Sequence, residues 1–258
     1  MIAILVAVKQ ELQPILRRAK AGHIVRQEHL DFYEGTLAGH PVALLALGVG
    51  KECARIAAEM TVRCYRPDLI ISAGFGGALQ DHIGGGDLII GTDILEMLQD
   101  TGHEIRSRAV PSPGRPPLLD VVPDRGRVHY GKIITTEEMI LKAETKQRIG
   151  KSTGALAVDM ETSAVATVCA AHDTHFLAVR CISDIRRLDL PEEFNDFFVI
   201  GQLQPGRVAA ACARHPALLA DLARIGYRAA HAGQNLARYL ERVLPRLDLP
   251  AVATRDLR

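Results

Sequence analysis

Short, nearly continuous apolar runs recur along this chain. They are "IAILVAV" (2–8), "VALLALG" (42–48), "DLIISAG" (68–74), "DLIIGT" (87–92), "KIITT" (132–136), "ALAVD" (155–159) and "FLAVRCISD" (176–184). Runs of this length with few polar interruptions predict strands of a largely buried sheet. "DFYEGTL" (31–37) alternates more and predicts an exposed hairpin strand. Between the runs the period lengthens. Cys53, Ile56, Ala57, Met60 and Cys64 have helical spacing over 51–66. Thr136 with Glu137 and Glu138 predicts the opening of another helix, its acidic residues at the positive end, and 161–172 predicts a third. Strands interleaved with helices imply an α/β fold: a three-layer α/β/α sandwich around a mixed, mostly parallel sheet.

Two stretches break the pattern. Residues 107–127, "SRAVPSPGRPPLLDVVPDRGR", hold five prolines and predict an irregular excursion within about 100–130. From about 190 to 258 the chain reads as a helical extension. There Leu236, Tyr239, Leu240, Val243 and Leu244 form an apolar stripe, and Arg238, Arg242 and Arg246 line another face. Neither stretch marks a domain boundary, so residues 1–258 are expected to form one domain.

Composition narrows the partners. Lys plus Arg is 31 against 30 for Asp plus Glu, a formal charge of +1, which disfavours a polyanionic ligand such as nucleic acid. Aromatic residues are 4% with no Trp, too few for base-stacking platforms. Cys53, Cys64, Cys169, Cys181 and Cys212 are odd in number and widely spaced, as in a cytosolic protein with reduced thiols. The first apolar run is short for a signal peptide, and no later run approaches a membrane span. A cytoplasmic protein is expected, with no membrane or nucleic-acid partner.

Several motifs carry candidate chemistry. "GKST" (150–153) ends like a phosphate-binding loop, but position 145 is Thr where that pattern needs Gly, and the motif precedes a strand. His172 and His175 are spaced like metal ligands without an accompanying cluster, so no metal is expected. "SAGFGGAL" (72–79) and "GVGK" (48–51) read as glycine turns after strands, where a ligand can approach the backbone. Ser183 and Asp184 end one strand, Glu11 follows another, and Asp159-Met160-Glu161 sit where a strand becomes a helix. Each has a plainer reading, Glu11 as a surface residue opening a helix and Asp184 as a helix cap. Together they fall at the ends of predicted parallel strands, which in an open α/β sheet converge on one crevice.

In sequence and order, "AILVAVKQEL", "ALGVGK", "SAGFGGAL", "VDMETSAVATVC" and "FLAVRCISD" resemble the purine nucleoside phosphorylase and nucleosidase superfamily, in particular its methylthioadenosine/S-adenosylhomocysteine nucleosidases. The resemblance covers roughly residues 1–100 and 130–185. It implies hydrolysis of the N-glycosidic bond of a 5′-modified purine nucleoside, without a cofactor. Glu11 would activate the attacking water, assisted by Arg180, and Asp184 would protonate the purine at N7, positioned by Ser183. Met160 and Glu161 would hold the ribose. Gly77 would present its backbone near the sugar and Ile140 would offer backbone hydrogen bonds to the base edge, while Met139 falls where the family usually has a phenylalanine stacked on the base. Asp159 is often acidic in the family, with no role assigned. The resemblance also implies a homodimer or larger assembly whose neighbour completes the pocket.

The chemistry explains the residue types. Cleavage leaves positive charge on the sugar and negative charge on the base, so one group protonates the base and another directs water. A carboxylate beside the sugar stabilises the cation. Phe75 stands where related nucleosidases carry a small hydroxyl residue and phosphorylases need room for phosphate, so its ring is expected to block an anion. Two alternatives stay open. One is a phosphate-dependent phosphorylase, for which Lys51 or Arg180 would have to reach the site. The other is a nucleoside-binding relative without catalysis. The 100–130 loop, which in relatives helps form the pocket for the 5′ substituent, leaves that substituent undefined; relatives acting on futalosine-type and hopanoid-linked nucleosides share the core.

Overall fold

The computed structural model describes residues 1–28, 30–111, 121–199 and 202–247. A ten-stranded mixed sheet forms its centre. The parallel strands β1 (Ile2–Val6), β4 (His40–Ala46), β5 (Leu69–Ala78) and β10 (His175–Asp184) lie at its middle. All of β1 and most of β4, β5 and β10 are buried, as near-continuous apolar runs require. β3 (Leu30–Leu37) joins β4 and β2 (Lys20–Gln27) in antiparallel pairs, which bears out the hairpin strand. β2 itself carries no readable alternation; its Ile24 is exposed.

Helices cover both faces. α1 (Lys9–Leu16) and the long α6 (Leu218–Val243) pack on one, where Leu236, Tyr239, Leu240 and Val243 of the predicted stripe are buried with Ile4 and Val179. α2 (Lys51–Tyr65) and α4 (Thr162–Ala171) pack on the other. The three-layer arrangement follows. On the basic side of α6, Arg238 and Arg242 both pair with Asp124.

The other half of the sheet departs from an open crevice. β6 (Leu88–Asp100) runs well beyond the predicted strand and turns back into β7 (Ile105–Val110), so the start of the expected irregular stretch is a ladder; residues 112–120 lie outside the described segments. β10 pairs antiparallel with β6, β6 and β8 (Val128–Thr135) run parallel, and β8 pairs with β9 (Ala157–Asp159). β9 then lies antiparallel to β5, which closes these strands with β10 into a ring. The site residues meet because the sheet closes on itself, not because parallel strands end along an open edge.

Two local expectations are corrected. The glycines of "SAGFGGAL" lie inside β5, not in a turn after it, opposite Arg180, Ile182 and Asp184 of β10. The helix expected at Thr136 begins later, as α3 (Ala143–Thr153). Thr136 Oγ1 donates to the carbonyls of Glu138 and Asp159, and Asn195 brackets Met139 by accepting from its N–H and donating to its carbonyl. These bonds hold residues 136–140 in an irregular, bent segment. "GKST" is the last turn of α3, where a Cβ on Gly150 would sit 2.2 Å from the Leu79 carbonyl oxygen; glycine there serves close packing.

Candidate active site

A cavity of about 420 Å³ opens where the ring meets α1 and α6. Its wall includes Glu11, Phe75, Gly77, Met139, Ile140, Met160, Glu161, Ser183 and Asp184, which are all but one of the residues expected from the sequence. The exception is Arg180.

Glu11 is the third residue of α1 and is 3% exposed, not a surface helix opener. Its Oε2 accepts from the N–H groups of Ala7 (2.8 Å) and Val8 (3.0 Å), the second in the manner of a capping box. Its Oε1 accepts from the Phe75 N–H at 2.6 Å. Any side chain at position 74 would intrude here, since a Cβ on Gly74 would lie 2.9 Å from Oε1. Burial pushes the Glu11 carboxyl above its ordinary value, and the three N–H donors and Arg180 oppose that shift.

Asp159 and Glu161, one methionine apart in sequence, have different partners. Asp159 Oδ2 accepts from Arg180 Nε at 2.7 Å and from the Thr162 hydroxyl, and Oδ1 accepts from Thr135 Oγ1 at 2.7 Å. The remaining Arg180 donors go to the Ser72 carbonyl (2.8 Å), Ser72 Oγ (2.9 Å) and Thr162 Oγ1 (2.7 Å). Arg180 therefore stands behind the wall; it acts on Glu11 through its charge, not by reaching into the cavity. Glu161 ends the turn into α4, and its Oε1 accepts from the Gly50 N–H at 2.8 Å. Gly50 holds φ +99°, a conformation strained for any residue with a Cβ, which is why "GVGK" needs glycine at that point. Burial and the neighbouring Asp159 push Glu161 up to about 8.

Asp184 ends β10. Its Oδ2 is paired with the fully buried Lys146 of α3, while its Oδ1 is buried with no hydrogen-bond partner among the described residues. Burial raises its carboxyl above the ordinary value and Lys146 opposes the rise. A Cβ on Gly77 would lie 3.1 Å from Val158 Cγ1 and 3.4 Å from Asp184 Oδ2, so glycine there keeps the floor open beside Asp184.

The far half of the cavity is apolar, walled by Phe194, Phe197, Phe198, Val208, Leu222 and Ile225. These belong to the 3₁₀ turn Glu192–Phe197, the following strand, α5 (Pro205–Arg214) and α6. The described residues of 100–130 contribute nothing to the wall; the chain's own C-terminal helices stand there instead. Phe75 lines the cavity and packs toward α6, its Cζ lying 3.5 Å from where a Gly233 Cβ would be. Lys51 is held by Glu96 and Glu137 outside the wall, and Arg228 is the only cationic residue among the described lining. His172 pairs with Glu59 at the surface, and no cluster of three or more His, Cys, Asp or Glu among the described residues is arranged to hold a metal.

Residues 1–214 match the family model described as the phosphorylase superfamily. The chain belongs to that superfamily. Among curated members, a 5′-methylthioadenosine/S-adenosylhomocysteine nucleosidase of Staphylococcus aureus (strain Newman) is 28% identical over 209 residues, 76% of this chain and 92% of the relative. Among solved structures, a Streptococcus pneumoniae nucleosidase of the same name, in complex with 8-aminoadenine, aligns with a TM-score of 0.67 at 18% identity, over 93% of this chain and 96% of that one. Futalosine hydrolase of Helicobacter pylori aligns with a TM-score of 0.68 at 16% identity, over 95% and 97%. At these identities the structural likeness speaks for the superfamily fold.

Within that fold, sequence reading missed the residues that work from behind. Lys146 reads as an ordinary polar position of an amphipathic helix. Thr135, Thr162 and Ser72 read as strand or helix residues, yet all three bond the Asp159–Arg180 pair. The apolar wall was hidden in a segment that reads only as helical.

Proposed function

We propose that this chain hydrolyses the N-glycosidic bond of a 5′-modified purine nucleoside, releasing adenine and a ribose derivative, with water as the second substrate and no cofactor. One observation carries the reading: Glu11, Glu161 and Asp184 all line one cavity, each with a different set of partners. Glu11, ordered by three N–H donors, takes a proton from water as its oxygen bonds to the anomeric carbon. The electron pair of the broken C–N bond passes to the base, and Asp184 delivers a proton to N7. Glu161 and Met160 hold the ribose, with Gly77 bare beneath it. Met139 and Ile140 flank the base and Ser183 steadies Asp184. The apolar half of the cavity then receives the 5′ substituent, which favours an alkyl-like group over a charged one.

Hydrolysis is preferred to phosphorolysis because Phe75 brings bulk and no donor to the wall, and neither Lys51 nor Arg180 lines it. Adenine release from methylthioadenosine, S-adenosylhomocysteine and adenosine, with and without inorganic phosphate, tests the reading. Equal release in phosphate-free buffer supports it; release only with phosphate makes the chain a phosphorylase, and ligand-induced stabilisation without release makes it a binder. Among the described residues no helix is long and apolar enough to cross a membrane. A cytoplasmic homo-oligomer fits this reading, and a monomeric mass by light scattering would remove the oligomer.

A further inference from the structure

Lys146 is the residue of this fold least explained by stability. Its side chain is 0% exposed in the first turn of α3, and its Nζ donates to the Leu188 carbonyl at 2.8 Å while pairing with Asp184. A buried ion pair seldom stabilises more than apolar residues of the same volume, because both charges lose their hydration. What this pair does have is a place on the cavity wall, which Asp184 lines. Lys146 takes Asp184 Oδ2, and Oδ1 is buried without a hydrogen-bond partner among the described residues.

We propose that Lys146 is a positioning residue for bond cleavage: it grips Asp184 by Oδ2, fixes that carboxyl in the cavity wall beside the departing base, and stabilises the carboxylate left when the proton goes. The inference rests on the nucleosidase reading above. In the step, the proton on the Asp184 carboxyl moves to the purine ring nitrogen as the glycosidic electron pair passes to the base. Asp184 becomes an anion facing the Lys146 ammonium. The proton that Glu11 took from water returns through solvent to restore Asp184, so no further reactant is needed.

Other charges face Asp184 as well. Arg228 approaches from α6, Asp189 from the loop after β10, and Glu11 and Glu161 share the cavity. Asp189 also accepts the Ala143 N–H at 2.8 Å, so it is tied to the start of α3. Of the cations, Lys146 alone makes a direct contact with the carboxylate among the described residues. Asp184 acts in its protonated form, so activity falls as pH rises through its pKa. Lys146 lowers that pKa, and its removal therefore moves the alkaline limb upward.

The test is the pH profile of kcat and kcat/KM for adenine release by the unaltered protein, Lys146→Met, Lys146→Gln and Lys146→Arg. Expected for Met and Gln are an alkaline limb displaced upward by about one pH unit or more and a plateau kcat lowered about tenfold or more. Arg should bring the limb back toward its original position. Gln keeps a donor for the Leu188 carbonyl, so it tests the charge should Met fail to fold. Folded Met or Gln protein with a lowered plateau but an unmoved limb would reduce Lys146 to a packing role and overturn the inference, leaving the nucleosidase reading intact. No adenine release by the unaltered protein from any nucleoside would overturn both.

Discussion

Arg180 Nε donates to Asp159 Oδ2 at 2.7 Å, and both side chains are buried. This pairing answers why two carboxylates stand one methionine apart. Asp159 holds the cation whose field reaches Glu11 and Glu161, and Glu161 stays in the cavity lining, bonded to the Gly50 N–H.

Removing that counter-charge should be costly. Asp159→Asn keeps the volume but leaves the Arg180 guanidinium buried without an anion, which costs about 3–5 kcal/mol. The check is urea unfolding: the midpoint should fall while the slope stays unchanged.

On the proposed mechanism, the pH dependence of turnover should have two limbs. Glu11 acts ionised and is raised above its ordinary value, so activity grows as pH rises through its pKa. Asp184 acts protonated and is also raised, so activity declines at higher pH than for a free carboxyl. Asp184→Asn should lower kcat by about 10²–10⁴-fold and abolish the alkaline limb. Near-normal turnover in that variant would dismiss Asp184 as the acid.

Glu161 should leave a mark on stability. Its folded pKa of about 8 exceeds its ordinary 4.5, so the folded state binds that proton more tightly. The contribution is fully present below 4.5 and is lost as pH rises toward 8. Glu161→Gln should flatten that decline, read as unfolding free energy against pH. An unchanged slope would mean that Glu161 is ionised throughout.

The apolar wall predicts a selectivity. Each methylene buried there is worth about 0.8 kcal/mol, so a butylthio nucleoside should exceed adenosine in kcat/KM by about a hundredfold. Leu222→Arg, which puts a cation on that wall, should erase most of this ratio. A ratio that survives would place the 5′ group elsewhere.

Gly50 offers a backbone test. Gly50→Ala imposes a Cβ at φ +99° and should cost about 1–3 kcal/mol, and a shifted N–H would also loosen Glu161. Lower thermal stability together with a raised KM is expected.

Much of this molecule was legible from local pattern. Apolar runs such as 2–8 and 176–184 locate the central strands because a strand buried on both faces admits few polar side chains. The wall residues from Glu11 to Asp184 were nameable because an ordered set of motifs carried them. Other features were misread for physical reasons. The glycines of β5 look like a turn, since nothing local says that Glu11 and Asp184 will need the space of their missing side chains. Thr136 looks like a helix cap, yet its hydroxyl found carbonyls of its own and a neighbouring chain segment.

The sequence by itself determined the class of fold, the buried strands and the carboxylates available for acid–base work, because periodicity and residue chemistry are local properties. Only the tertiary structure decided that β9 runs antiparallel and closes the ring, that Arg180 sits behind the wall, that Lys146 grips Asp184 and that the C-terminal helices line the apolar half of the cavity. Those outcomes depend on which distant segments share a low-dielectric space, where an unpaired charge is too costly to leave and a partner far along the chain must supply its match.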